Sequence, residues 1–193
     1  MADLEKNILV VIPVNEDHKK FLEEKAASGN KNCCVRYVNG SDVTAEDVKE
    51  ANVIIGNVDP ALVKEAKNLE LFQLNSAGAD QYIKPGILPE AVLANATGAY
   101  GLAVSEHMLA LTFDLIRRFN QYHANEAKHV WQSMGNITSV EGSTILVLGL
   151  GDIGGDYARK CHALGAHVIG VRRTNRNKPD YLDEQHTMDD LDE

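Results

Sequence analysis

The stretch "VLGLGDIG", residues 147–154, sets three glycines at the spacing G-x-G-x-x-G: Gly149, Gly151 and Gly154. Alone, that pattern is weak, because glycine-rich turns are common. Its flanks make it informative. Upstream, "TILVLG" is an apolar, β-branched run that reads as a buried strand. Downstream, "DIGGDYARKCHALG" reads as a helix, with Ala158, Cys161 and Leu164 on the side facing the sheet. "AHVIGV" then reads as a second strand. Strand, glycine turn, helix and strand make the dinucleotide-binding unit. Gly149 permits the tight turn, Gly151 lets backbone approach a pyrophosphate, and Gly154 lets helix and strand pack closely. Asp152 and Ile153 open the helix, whose first N–H groups face a phosphate.

The end of the second strand selects the dinucleotide. An NAD site places an acid about 20 residues beyond the glycines, where it accepts a ribose hydroxyl. Here Arg172, Arg173 and Thr174 stand at that place. A carboxylate would repel a 2′-phosphate, whereas guanidinium groups hold it by charge-assisted, bidentate bonds. The expected cofactor is therefore NADP(H) in preference to NAD(H).

Working outward, the first hundred residues alternate strand and helix. "NILVVIPV" (7–14), "CCVRYV" (33–38), "NVIIGN" (52–57), "LELFQL" and "AVLANATG" (91–98) read as strands. A helix over 16–27 with a stop at Gly29, a helix after the Thr44/Asp47 capping pair, and another after Asp59-Pro60 separate them. This pattern predicts an α/β fold: a flavodoxin-like parallel sheet over 1–100, followed over 101–193 by a linker helix and the first part of a Rossmann domain. Ligands of such sheets sit beyond the carboxyl ends of the strands. The loops "GNVDP", "NSAGAD" and "NATGAYG" fall there. The small residues after Asn75 leave backbone N–H groups open to an anion such as a carboxylate.

Residues 101–126 read as a single helix, about 33 Å long if it runs about 22 residues. Its adjacent Glu106 and His107 do not share a face and read as structural. The polar connector over 129–142 carries Trp131, the only tryptophan, which reads as an interface residue. The net charge of −9 argues against nucleic-acid and anionic-membrane partners. No apolar run suits a bilayer, and "MADLEKN" has no leader pattern. Three cysteines without a C-x-x-C pair read as reduced thiols in a cytoplasmic protein.

These residues resemble a known family. "NSAGAD", "NATGAYGLAVSEHMLALTFDLIRR", Trp131 and "EGSTILVLGLGDIGGDYARKCHALGAHVIGVRR" are similar, in order and spacing, to the D-isomer-specific 2-hydroxyacid dehydrogenases, particularly members like the glyoxylate/hydroxypyruvate reductases. The resemblance implies a flavodoxin-like substrate domain interrupted by a nucleotide domain. It places Ser76, Ala77 and Gly78 on the carboxylate of a small 2-oxo or 2-hydroxy acid. It places Gly149, Gly151, Asp152, Ile153 and Gly154 on the pyrophosphate, and Arg172 where NAD-using members are acidic. It implies a homodimer when intact, with Trp131 and its flanks as arm candidates. The family's arginine, glutamate and histidine have no counterpart here, so no catalytic residue is assigned. Only two strands are expected from Thr144 onward, and the acid-rich segment from Asp180 reads as the start of a helix. The chain is therefore expected to be an N-terminal fragment without turnover. A non-catalytic nucleotide-sensing protein of the same fold is the alternative, and another Rossmann enzyme is disfavoured by the carboxylate loop and "RRT".

Overall fold

The computed structural model describes residues 6–28, 32–174 and 177–191. The stop expected at Gly29, the first five residues and Glu193 lie outside them. The chain divides into two compact units, Met1–Thr97 and Gly98–Glu193.

The first unit is a parallel sheet of β1 (Lys6–Val10), β2 (Cys33–Tyr37), β3 (Val53–Ile55), β4 (Leu71–Gln73) and β5 (Val92–Ala94). The order β2-β1-β3-β4-β5 is the flavodoxin order that the sequence predicts. Helices α1 (Glu16–Ala27), α2 (Ala45–Glu50) and α3 (Pro60–Val63) make the first three crossovers. Each starts on a side-chain cap. Asn15 accepts from the His18 N–H, Thr44 and Asp47 form the reciprocal capping box, and Asp59 accepts from the Ala61 N–H. Leu9, Ile54 and Phe72, on adjacent strands, are almost wholly buried with Val48 and Val63 from the helices. Tyr82 closes this core, meeting Phe72 edge-on at 5.0 Å and donating its hydroxyl to the Val58 carbonyl at 2.9 Å. The third strand is shorter than 52–57 because Gly56 turns at φ +114°, and the Val11 and Ile12 side chains fill the space a Cβ would need.

The second unit contains α4 (Gly101–Arg117), α5 (Phe119–Glu126), β6 (Thr144–Leu148), α6 (Asp152–Ala163), β7 (His167–Arg172) and β8 (Glu184–Thr187). The strands form a parallel sheet in the order β6-β7-β8. Val147, Val168, Ala158 and Cys161 form its core, and Met108, Leu109, Phe113 and Ile116 of α4 pack against it.

Three expectations need correction. The long helix is broken at Arg118, whose φ of +58° is left-handed, so α4 alone spans about 26 Å. The Arg118 guanidinium donates to the Asn136 carbonyl at 3.2 Å, and the Thr138 N–H donates to Ile116 at 3.3 Å, so the connector folds back over the break. Leu164 does not face the sheet. The helix ends at Ala163, and Leu164 becomes an exposed cap before Gly165 at φ +84°. Finally, the segment after Asp180 forms a third strand and not a helix start.

That strand has no apolar alternation, and polar clasps hold it. Leu182 is buried beside it. The Asp183 carboxylate accepts the Val168 N–H at 2.6 Å, and the Asp183 N–H returns to the Val168 carbonyl at 3.0 Å. Lys178 donates to the Leu182 and Asp183 carbonyls at 2.6 and 2.9 Å. Glu184 bridges His167 at 2.8 Å and His186 at 3.2 Å. The Val168 N–H holds the Asp183 carboxyl below its usual range, and hydrogen bonds from His167 and His186 do the same for Glu184. Groups with depressed folded pKa values stabilise above the unfolded value and lose that contribution as pH falls through the folded one. Acidification below about pH 4 is therefore expected to loosen β8 before β6. Amide NMR shifts followed from neutral to acid pH check this, and β8 shifts that stay constant while β6 unfolds would contradict it.

Candidate functional site

The first candidate region lies at the carboxyl ends of β6 and β7. Gly149 follows β6 directly with φ +99°, and its N–H donates to the Val171 carbonyl at 2.8 Å. This bond ties the turn to the end of β7, where Arg172 is the last strand residue. Arg173 and Thr174 follow in an exposed bend. Gly151 is the N-cap of α6, without a side-chain cap, and Asp152 and Ile153 are its first two residues. A Cβ on Gly151 would meet nothing within 4 Å, so open space adjoins the backbone there. A Cβ on Gly154 would overlap the Gly149 carbonyl oxygen. The three glycines thus serve different needs: backbone conformation, access and close packing. Those are the needs of a pyrophosphate cradle, so the residues fit a dinucleotide.

Other residues orient α6. The buried Ser105 of α4 donates to Asp156 at 2.7 Å and accepts from Lys160 at 2.7 Å. Lys160 also pairs with Asp156, as does Arg159. Lys160, Ser105 and Arg159 hold the Asp156 carboxyl well below the usual carboxylate range. The next residues on α4, Glu106 and His107, are exposed. Arg172 reaches Gln185 on β8 at 3.5 Å, so the unanticipated strand steadies the arginine expected to read the cofactor.

The second candidate region belongs to the first unit. Ser76, Ala77 and Gly78 follow β4, and three asparagines at neighbouring strand ends hold their loop. Asn57 and Asn75 each donate a backbone N–H to the other's side-chain oxygen, at 2.8 and 3.1 Å. The Asn57 amide donates to the Ser76 hydroxyl at 3.0 Å, and that hydroxyl donates to the Gly78 carbonyl at 2.9 Å. Asn95 donates to the Ala77 carbonyl at 2.8 Å. The Ser76 hydroxyl therefore spends its proton inside the loop. A Cβ on Gly78 would meet nothing within 4 Å, so this backbone lies open. Sequence reasoning passed over the asparagines, yet a trace was there: the third, fourth and fifth strands each run out into one, at "IIGN", "FQLN" and "VLAN".

Trp131 is fully exposed, within a concavity lined by Tyr122, Asn125, His129 and Val130. Among the described residues no cluster of His, Cys, Asp and Glu could hold a metal ion.

Comparison with known proteins agrees with this geometry. Residues 109–193 match the family described as D-isomer specific 2-hydroxyacid dehydrogenase, NAD binding domain. The D-3-phosphoglycerate dehydrogenase of Mycobacterium leprae is 30% identical over 166 residues, covering 82% of this chain and 31% of that protein. That of Archaeoglobus fulgidus is 25% identical over 174 residues, covering 84% of this chain and 31% of the relative. The crystal structure of a D-isomer specific 2-hydroxyacid dehydrogenase family protein from Aeromonas salmonicida subsp. salmonicida shares the fold. Its TM-score is 0.81 at 24% identity, over 95% of this chain and 58% of that one. The chain thus spans less than a third of the length of these curated relatives. The glycine fingerprint and the match over residues 109–193 together place that segment in the D-isomer specific 2-hydroxyacid dehydrogenase family.

Proposed function

We propose that this chain supplies the carboxylate loop and the phosphate-binding half of an NADP(H)-dependent enzyme that interconverts a short 2-oxo acid and its D-2-hydroxy acid. The observation that carries the cofactor reading is the open Gly151 backbone beside the Gly149 turn, which is bonded to the strand ending in Arg172. The nicotinamide, when bound, is the hydride donor or acceptor. The protein's own part is electrostatic and positional. The first N–H groups of α6 face the pyrophosphate. Arg172 and Arg173 hold the 2′-phosphate, and backbone N–H groups around Ala77 and Gly78 hold the substrate carboxylate. For these residues the proposal is binding without turnover.

The exposed Trp131 supports a homodimer through the segment after α5. Three cysteines without a C-x-x-C pair support a cytoplasmic setting; no described helix is long and apolar enough to cross a membrane.

Titration with NADPH and NADH tests the cofactor reading. NADPH should bind more tightly. Arg172→Glu should weaken NADPH by about 30-fold, the scale of a lost charge-assisted bond, and leave NADH little changed. A clear preference for NADH would overturn the NADP assignment. Incubation with NADPH and glyoxylate or hydroxypyruvate should yield no oxidation, and robust turnover would overturn the non-catalytic part.

A further inference from the structure

The head of α6 carries a charge that an anion-binding helix start does not favour. Asp152 is its first residue. A carboxylate there competes with a phosphate for the same N–H groups and repels it. The side chain is turned away onto α4. A Cβ on Gly101 would lie 2.6 Å from one carboxylate oxygen of Asp152 and 2.9 Å from the other. Gly101 is buried and is the first residue of α4. That helix has no side-chain cap at Tyr100 and no acid of its own in the first turn. Its positive dipole end therefore offers the carboxylate a favourable berth. Gly101 needs no left-handed backbone, and alanine is the better helix former. Space for Asp152 is what calls for a glycine.

We propose that Gly101 is a positioning residue for the dinucleotide site: by having no side chain, it lets the Asp152 carboxylate dock on α4 and leaves the first N–H groups of α6 to the pyrophosphate. This rests on the cofactor reading above. Asp152 is exposed at the end of a short, rotatable side chain, so a methyl group at position 101 displaces the carboxylate and leaves both helices in place.

Titrating the full chain with NADPH, alongside thermal melts, tests the proposal. Gly101→Ala should bind about tenfold more weakly, with an unchanged or higher Tm, and Asp152→Asn sets the affinity of a site without that charge. Gly101→Ala combined with Asp152→Asn should bind as Asp152→Asn does, because no charge remains to misplace. Unaltered affinity in Gly101→Ala overturns the proposal. So does a double variant as weak as Gly101→Ala, which would assign the defect to packing. If the unsubstituted chain binds neither NADPH nor NADH, the cofactor reading falls, and the positioning role falls with it.

Discussion

Gly154→Ala is expected to destabilise the second unit by about 3 kcal/mol, the upper range for overpacking, and to bring dinucleotide binding below detection. The new methyl carbon would overlap the Gly149 carbonyl oxygen and sit 3.1 Å from its carbonyl carbon and 3.4 Å from a Val147 methyl. The close neighbours are mostly backbone, which cannot rotate aside as a side chain can. Either α6 lifts from β6 or the Gly149 turn opens and loses its bond to Val171. Both routes dismantle the cradle. Gly151→Ala is the informative contrast. Its methyl meets nothing within 4 Å, so the fold should survive while the approach of a pyrophosphate is obstructed. Urea unfolding and NADPH titration of both variants separate the two effects. Native stability in Gly154→Ala would show that the turn and helix do not pack this closely.

Phe72→Ala is expected to cost about 4 kcal/mol, in the range for removing a buried phenyl group. Phe72 is fully buried in the central part of the first sheet, in register with Ile54 on β3 and Leu93 on β5. It also provides the face against which Tyr82 packs edge-on, at an interplanar angle of 83°. Removing it leaves a cavity and frees Tyr82, whose hydroxyl holds the Val58 carbonyl just beyond Asn57. Hence the loop of Ser76, Ala77 and Gly78 should lose order along with the core. The urea midpoint measures the first effect and amide NMR of the loop the second. A loss below about 1 kcal/mol would mean that this core is filled in some other way.

Most of the fold could be read locally. β1, β6 and β7 lie within continuous apolar runs, which mark strands in residue order alone, although Leu146 and Leu148 leave one face of β6 exposed where a buried strand is expected. The caps at Thr44 and Asp59 needed only neighbours within a helical turn, so residue order was enough to find them. The strand, glycine turn, helix and strand around Gly149, Gly151 and Gly154 were likewise legible, since their order is set by spacing along one βαβ unit. The break at Arg118 carried no such mark. A left-handed arginine is unusual, and what accompanies it is a connector folding back, more than ten residues further on, to meet Arg118 and Ile116.

By itself the sequence determined the two α/β units and the dinucleotide fingerprint, because each depends on chemistry within a short span. Tertiary structure alone decided that Glu184 to Thr187 is a strand, since Lys178, Asp183 and Val168 hold it by polar bonds that leave no periodic apolar trace. It alone joined Asn57, Asn75 and Asn95 around one loop, because parallel strands bring their ends together only when the sheet forms. And it alone placed the Asp152 carboxylate against Gly101, a contact between two helix starts about fifty residues apart.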